Sequence, residues 1–270
     1  MRARILVAVV CIPLLLVVIF LLPPIALSIL VALLSAVAVY EVLVSTQYIK
    51  QMRLVLYGMV FGAAIPFWAY FGSALAPAVG GLLLFCILLF GEAIYSKGNI
   101  KLEQIAIMLF AAILLPFFLS SLVRILRMSN GAFVILLPFA IAFGSDAAAL
   151  FVGMAIGERK LAPSLSPKKT MEGAAGGLLA GIVLAILYGL VVGLICHRPV
   201  NYLALIVYGL FGSAISQFGD LSFSLIKREF SIKDYGKLLP GHGGVLDRFD
   251  SVLFCAPLIE FLLLVWPAVL

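Results

Sequence analysis

Ala174-Ala-Gly-Gly-Leu-Leu-Ala-Gly-Ile-Val-Leu-Ala-Ile-Leu-Tyr-Gly-Leu-Val-Val-Gly-Leu-Ile-Cys196 carries no charged side chain from end to end. A helix crosses a hydrocarbon core about 30 Å thick with roughly 17–25 mostly apolar residues, so this run is long enough to span a membrane. Eight further runs resemble it, at about 5–22, 25–44, 54–71, 75–94, 105–126, 133–155, 203–225 and 251–269. Turn-forming residues separate several of them: Pro23-Pro24, Gly72-Ser73, Ser129-Asn130-Gly131 and Arg198-Pro199. The expected fold class is therefore all-α, a polytopic membrane protein of about nine transmembrane helices.

Composition supports that class. Hydrophobic residues make up 65% of the chain and charged residues 11%, with a mean hydropathy of +1.26. A soluble domain carries about 25% charged and 45–50% apolar residues. No long polar stretch is left for a separate soluble domain. Cys11, Cys86, Cys196 and Cys255 lie far apart in apolar segments, which argues against a disulfide framework or a zinc site. Arg2 and Arg4 before an apolar run resemble a signal peptide. The run continues to Leu22 without a clear small-residue cleavage site, so an uncleaved first span is expected.

The basic residues set the orientation. If nine spans alternate, all but three of the 18 Lys and Arg fall on one side, the exceptions being Arg124, Arg127 and Arg198. By the positive-inside rule that side is the cytoplasm. The net charge of +6 then reflects basic loops beside anionic headgroups, and no nucleic acid partner is expected. Two cytoplasmic loops, 156–173 and 226–250, are longer than the rest and hold most of the polar chemistry.

On the eighth run Ser213, Ser216, Gln217, Asp220, Ser224 and Lys227 recur at three- or four-residue spacing, which forms one polar stripe on a helix. Lipid cannot face such a stripe at tolerable cost, so it lines protein or water. Asp220 is then a functional candidate, or an acid neutralised by a neighbouring cation. The sixth run carries Ser145-Asp146 and leads into a loop with Pro163 and Pro167, which hold it extended or turned. Ser166, Lys168, Lys169 and Thr170 offer hydroxyl and cationic donors there, or serve as a basic connector at the membrane surface. Glu41, Glu92 and Glu260 lie within or near the ends of apolar runs, with pairing to a neighbouring helix as open an option as a site.

The stretch Ser224-Leu-Ile-Lys-Arg-Glu-Phe-Ser-Ile-Lys-Asp-Tyr-Gly-Lys-Leu-Leu-Pro-Gly-His-Gly-Gly-Val-Leu-Asp-Arg-Phe-Asp250 is the most informative. Its cations Lys227, Arg228, Lys233, Lys237 and Arg248 suit phosphate oxygens. Gly241, Gly243 and Gly244 around His242 let backbone N–H groups approach a ligand closely. Asp247 and Asp250 stand one turn apart as the last helix begins, placed to bind a hard metal or to cap the helix. Each feature has a plainer alternative: a headgroup contact, a turn, a cap.

Together these residues resemble the phosphatidate cytidylyltransferase family, also called CDP-diacylglycerol synthases. The pattern positions present are Ser224, Lys227-Arg228, Lys233-Asp234, Gly236, Pro240, His242-Gly243-Gly244, Asp247-Arg248 and Asp250. The run from Lys160 to Gly173, with Ser166-Pro-Lys-Lys-Thr170, is similar to a second family block. One departure stands in the sixth run, where the family has Thr and an aromatic residue after Ser-Asp and this chain has Ala147 and Leu150.

The resemblance implies transfer of the cytidylyl group of CTP to phosphatidic acid, giving CDP-diacylglycerol and pyrophosphate in phospholipid biosynthesis. It implies Asp220 and Asp247 as principal Mg²⁺ ligands, with Asp250 and Asp146 as further ligands and a second cation left open. Asp220, Asp247, Lys227 and Arg228 are the expected catalytic groups. Lys168, Lys169, Thr170, Ser224, Lys233, Asp234, His242, Gly243, Gly244 and Arg248 are the expected substrate contacts. Residues 1–130 are expected to form a membrane scaffold, and 131–270 the catalytic region, in a homodimer of the cell (inner) membrane with its site facing the cytoplasm. The rival readings are a CTP-dependent polyprenol or phytol kinase and an ion-coupled secondary transporter, against which stands the absence of an internal repeat.

Overall fold

The computed structural model describes residues 13–97, 99–236 and 243–269. Beyond a helical stretch at 13–20, the described chain holds eight long helices and one small hairpin: α1 (Pro24–Ser45), α2 (Met52–Tyr70), α3 (Leu75–Tyr95), α4 (Leu102–Leu126), α5 (Leu137–Ile156), the strands β1 (Lys160–Ala162) and β2 (Ser166–Thr170), α6 (Met171–Ile195), α7 (Tyr202–Glu229) and α8 (Leu246–Val265). Seven of these helices, α1 to α7, are long and apolar enough to cross a membrane, and the protein is an integral membrane protein.

Seven is fewer than the nine spans expected. Of the run 5–22, residues 5–12 lie outside the described residues, and 13–20 form helix. The ninth run is α8, which starts earlier than expected, at Leu246, and so takes in Asp247, Arg248 and Asp250. The expected loop 226–250 is also shorter than its sequence suggested. Helix α7 continues to Glu229, so Lys227 and Arg228 lie on its last turn, where cations complement the C-terminal helix dipole. The loop 156–173 is not simply irregular: β1 and β2 pair antiparallel, Lys160 opposite Thr170 and Ala162 opposite Ser166.

The chain divides into two compact units, residues 1–127 with 232–248, and 128–231 with 249–270. In the first, α2 lies close to α1 and α4 through glycines. A Cβ on Gly62 would sit 3.0 Å from both Val39 of α1 and Pro116 of α4. Helix α4 widens to a π-turn over Phe110–Leu114, just before Pro116, whose ring nitrogen has no hydrogen for the Ala112 carbonyl. Tyr48 donates to Glu103 at 2.5 Å, a bond that pushes the phenol's pKa up. Helix α3 keeps a mostly exposed apolar surface, with Leu75, Leu83 and Ile94 all exposed, as suits a helix facing lipid.

In the second unit, Gly173, Gly177, Gly181, Ala185 and Gly189 recur every four residues on the buried face of α6. This small-residue stripe lets backbones touch. A Cβ on Gly181 would stand 2.7 Å from the Gly209 carbonyl of α7, and one on Gly177 2.9 Å from Ser145 Oγ of α5. Thr170 caps α6 by accepting from Gly173 N, and Asn201 caps α7 by accepting from Ala204 N, each at 3.1 Å. The close fit of α5, α6 and α7 holds the polar ends of three helices together.

Candidate functional site

The second unit holds a cavity of about 540 Å³ at the hairpin end of α5, α6 and α7. Its polar lining is Asp146 from α5, Lys160, Lys168, Lys169 and Thr170 from the hairpin, and Gln217 and Asp220 from α7. Leu150, Met154 and Leu161 supply an apolar wall. Leu150 thus stands on the wall at the position where the family pattern carries an aromatic residue.

The polar stripe on α7 faces inward. Ser213 and Ser216 are fully buried and Ser224 nearly so, while Phe211, Phe218 and Leu225 on the same helix are exposed. Gln217 donates to the Ala174 carbonyl at 3.1 Å, tying α7 to the start of α6. At the end of the stripe, Lys169 Nζ lies 2.5 Å from Asp220 Oδ2, both side chains about one-quarter exposed. Ser224 Oγ donates to the other oxygen, Oδ1, at 3.4 Å. A half-open ion pair of this kind remains accessible to an incoming charged ligand.

Two more carboxylates gather nearby. Ser251 Oγ donates to Asp146 Oδ2 at 2.6 Å, and Ser251 N donates to Asp250 Oδ1 at 2.9 Å. Asp250 lies within electrostatic range of Asp220, Lys227 and Asp146, and Asp146 within range of Lys169. Three acids from three helices therefore share one region with two lysines. Arg228 Nε donates to the Leu165 carbonyl at 3.2 Å, which fastens the end of α7 to the turn of the hairpin. At the hairpin's base, Glu172 accepts from the N–H groups of Glu158 and Arg159 and pairs with Arg159 Nε at 3.1 Å.

The remaining candidates belong to the first unit. Asp247 Oδ2 accepts from Tyr235 N at 2.8 Å and from Gly244 N at 3.0 Å. Gly243 adopts φ +83°, a conformation open to glycine at no steric cost, with Asp234 beside it. Lys233, Asp234 and Arg248 are exposed. His242, with Lys237, Pro240 and Gly241, lies outside the described residues.

The family's model matches this chain over residues 2–266. The chain belongs to the cytidylyltransferase family. Among its relatives, the phosphatidate cytidylyltransferase of Bacillus subtilis is 38% identical over 66% of this chain and 65% of its own length. That of Staphylococcus epidermidis is 43% identical over 50% of this chain and 51% of its own length. The uncharacterized protein YnbB of Escherichia coli is 32% identical over 76% of this chain and 73% of its own. The chain thus spans between about half and two-thirds of the named enzymes it matches.

The cavity fits this family's chemistry in its donor set. No group of three His, Cys, Asp or Glu side chains among the described residues is arranged to hold a metal ion by itself. Mg²⁺ does not require one, since it is commonly held by one or two carboxylates, with substrate phosphates and water completing the shell. Asp146, Asp220 and Asp250 supply hard oxygens of that kind. Sequence reasoning missed Ser251, which orients two of these acids. It also left Glu41 unassigned, although Glu41 is 4% exposed and accepts from Val245 N and Leu246 N.

Proposed function

We propose that this protein transfers the cytidylyl group of CTP to phosphatidic acid, forming CDP-diacylglycerol and pyrophosphate. The observation that carries the reading is the cavity in which Lys169 meets Asp220, with Asp146, Lys160 and Lys168 on the same walls. It is supported by membership of the cytidylyltransferase family and by the names of the relatives.

An oxygen of the lipid phosphate attacks the α-phosphorus of CTP, and the bond from that phosphorus to the β-phosphate bridging oxygen breaks. The nucleophile is already anionic near neutral pH, so no strong general base is needed. The work of the site is to bring two polyanions together and to stabilise charge on the departing pyrophosphate. Lys168, Lys169, Lys227, Arg228, Lys233 and Arg248 serve as phosphate donors, with Thr170, Ser224, Asp234, His242, Gly243 and Gly244 shaping the substrate sites. Asp146, Asp220, Asp247 and Asp250 are proposed as Mg²⁺ ligands on the resemblance, with Asp146, Asp220 and Asp250 within electrostatic range of one another. The metal would supply Lewis-acid charge neutralisation on the phosphates. In the ligand-free protein, Lys169 balances Asp220; with substrate, its ammonium turns to phosphate.

The finer architecture completes the proposal: nine spans, with 5–22 and α8 added to the seven, a homodimer in the cell membrane, and the site open to the cytoplasm. Residues 1–130 serve as scaffold and 131–270 as the catalytic region. The test is pyrophosphate release by purified protein in detergent with CTP, Mg²⁺ and phosphatidic acid, each omitted in turn. Release that needs all three, with an equal amount of CDP-diacylglycerol, is expected. CDP in place of pyrophosphate would point to a lipid kinase and contradict the proposal.

A further inference from the structure

Glu41 is an acid buried near the C-terminal end of α1, and the reaction proposed above gives it no part. Its two oxygens divide a pair of consecutive backbone amides: Oε1 accepts from Val245 N and Oε2 from Leu246 N, both at 2.8 Å. These are the amides that open α8, where the helix dipole favours an anion. More than two hundred residues of sequence separate the acid from the amides it holds.

The same carboxylate also shapes what lies on either side. A Cβ on Gly244 would stand 2.5 Å from Glu41 Oε2, and a Cβ on Gly236 would collide with Oε1. Gly236 and Gly244 therefore both pass so close to Glu41 that a Cβ at either would have to push its carboxylate aside. Asp247 accepts from Tyr235 N and Gly244 N beside them. Two carboxylates thus hold the described residues on either side, Asp247 from the start of α8 and Glu41 from α1.

We propose that Glu41 is a positioning residue for the proposed transfer: by holding the Val245 and Leu246 amides, with Gly236 and Gly244 against its carboxylate, it fixes the direction in which the start of α8 presents Asp247 and Arg248. This inference rests on the cytidylyl-transfer reading for its kinetic consequence, though not for its geometry. A glutamate is required because the clasp needs two acceptors on one rigid plane. Glutamine offers one acceptor and turns its amide hydrogens toward an N–H. Aspartate keeps the charge on a stem one carbon shorter.

The test pairs amide exchange with kinetics on the full chain. In Glu41→Gln, exchange at Val245 and Leu246 is expected to quicken by at least about tenfold, with amides of α2 and α4 unchanged, because only a local opening is made easier. The kcat/KM for CTP is expected to fall on the order of 100-fold, as misplacement of catalytic groups by a fraction of their reach typically does. The KM for phosphatidic acid should stay the same. Gly236→Ala, which leaves the acid in place and crowds it, should give the same signature, and so should Glu41→Asp if the glutamine variant does not fold. Unchanged kcat/KM, or faster exchange spread evenly over all helices, would overturn the proposal. If the wild-type protein releases no pyrophosphate, the activity reading falls, and the exchange experiment alone still decides whether Glu41 holds these amides.

Discussion

Two regions of this molecule use carboxylates in opposite ways. In the cavity of the second unit, Asp220 meets an ammonium and a hydroxyl, and Asp146 meets a hydroxyl. In the segment 232–248 of the first unit, Asp247 and Glu41 meet backbone N–H groups. A side-chain cation can be exchanged for a ligand, since it swings away on a flexible stem. A backbone amide cannot leave without the chain moving. The first arrangement suits chemistry on charged substrates, and the second suits holding a loop in shape. Residue type alone does not distinguish the two; the partners do for Asp220, Asp146, Asp247 and Glu41, while Asp250 on the cavity side accepts from a backbone N–H.

That contrast is open to direct challenge. The largest effect is expected at Asp220: Asp220→Asn should lower kcat by about 1,000-fold, the scale of losing a central electrostatic group, while amide exchange at Tyr235 and Gly244 stays as in the wild type. Should that variant instead loosen those amides, the assignment of the two regions to separate tasks would be wrong. Next comes Lys169→Met, which removes a partly exposed cation from both Asp220 and the phosphate. A drop of roughly 10–100-fold in kcat/KM for CTP is expected, matching a charge-assisted hydrogen bond of about 1.5–3 kcal/mol. The melting temperature should barely move, because solvent-accessible ion pairs contribute about 1 kcal/mol or less.

Asp247→Asn should move both readouts, amide exchange through its two backbone contacts and kcat through its proposed part in holding Mg²⁺. Its Oδ2 holds two amides, so the variant should lose about 1–3 kcal/mol of local stability, read as faster exchange at Tyr235 and Gly244. Activity that falls with no change in exchange would move Asp247 out of the loop-holding class. The smallest effect belongs to Ser251→Ala, which removes one hydroxyl from Asp146. A loss of about 1 kcal/mol in stability, with kcat changed only a few-fold, is expected by thermal unfolding and steady-state assay.

The sequence made the helices legible because length and apolarity are local properties. Each run from 25–44 to 203–225 corresponds to one helix among α1 to α7. The inward face of the α7 stripe was legible for the same reason, since three- and four-residue spacing fixes which side chains share a side. Where α7 ends was harder. Lys227 and Arg228 follow an apolar run and read as loop, yet the helix continues under them to Glu229. The hairpin was half legible: its prolines foretold extended chain, but not the pairing of Lys160 with Thr170.

What no local pattern could reveal was choice of partner. Ser251 reaches Asp146 across 105 residues and Glu41 reaches Val245 across 204. A lone glutamate at the end of an apolar run looks the same whether it faces a cation, a metal or an amide. The polar stripe pointed to Asp220 and the family motif to Asp247 and Asp250, and neither spoke to Glu41.

The central claim is that the α-phosphorus of CTP passes to the lipid. Purified protein given phosphatidic acid, Mg²⁺ and CTP radiolabelled at either the α- or the γ-phosphate tests it most directly. The account predicts that the α label enters the lipid fraction and the γ label leaves as pyrophosphate. Label from the γ position in the lipid, with none from the α position, would contradict it.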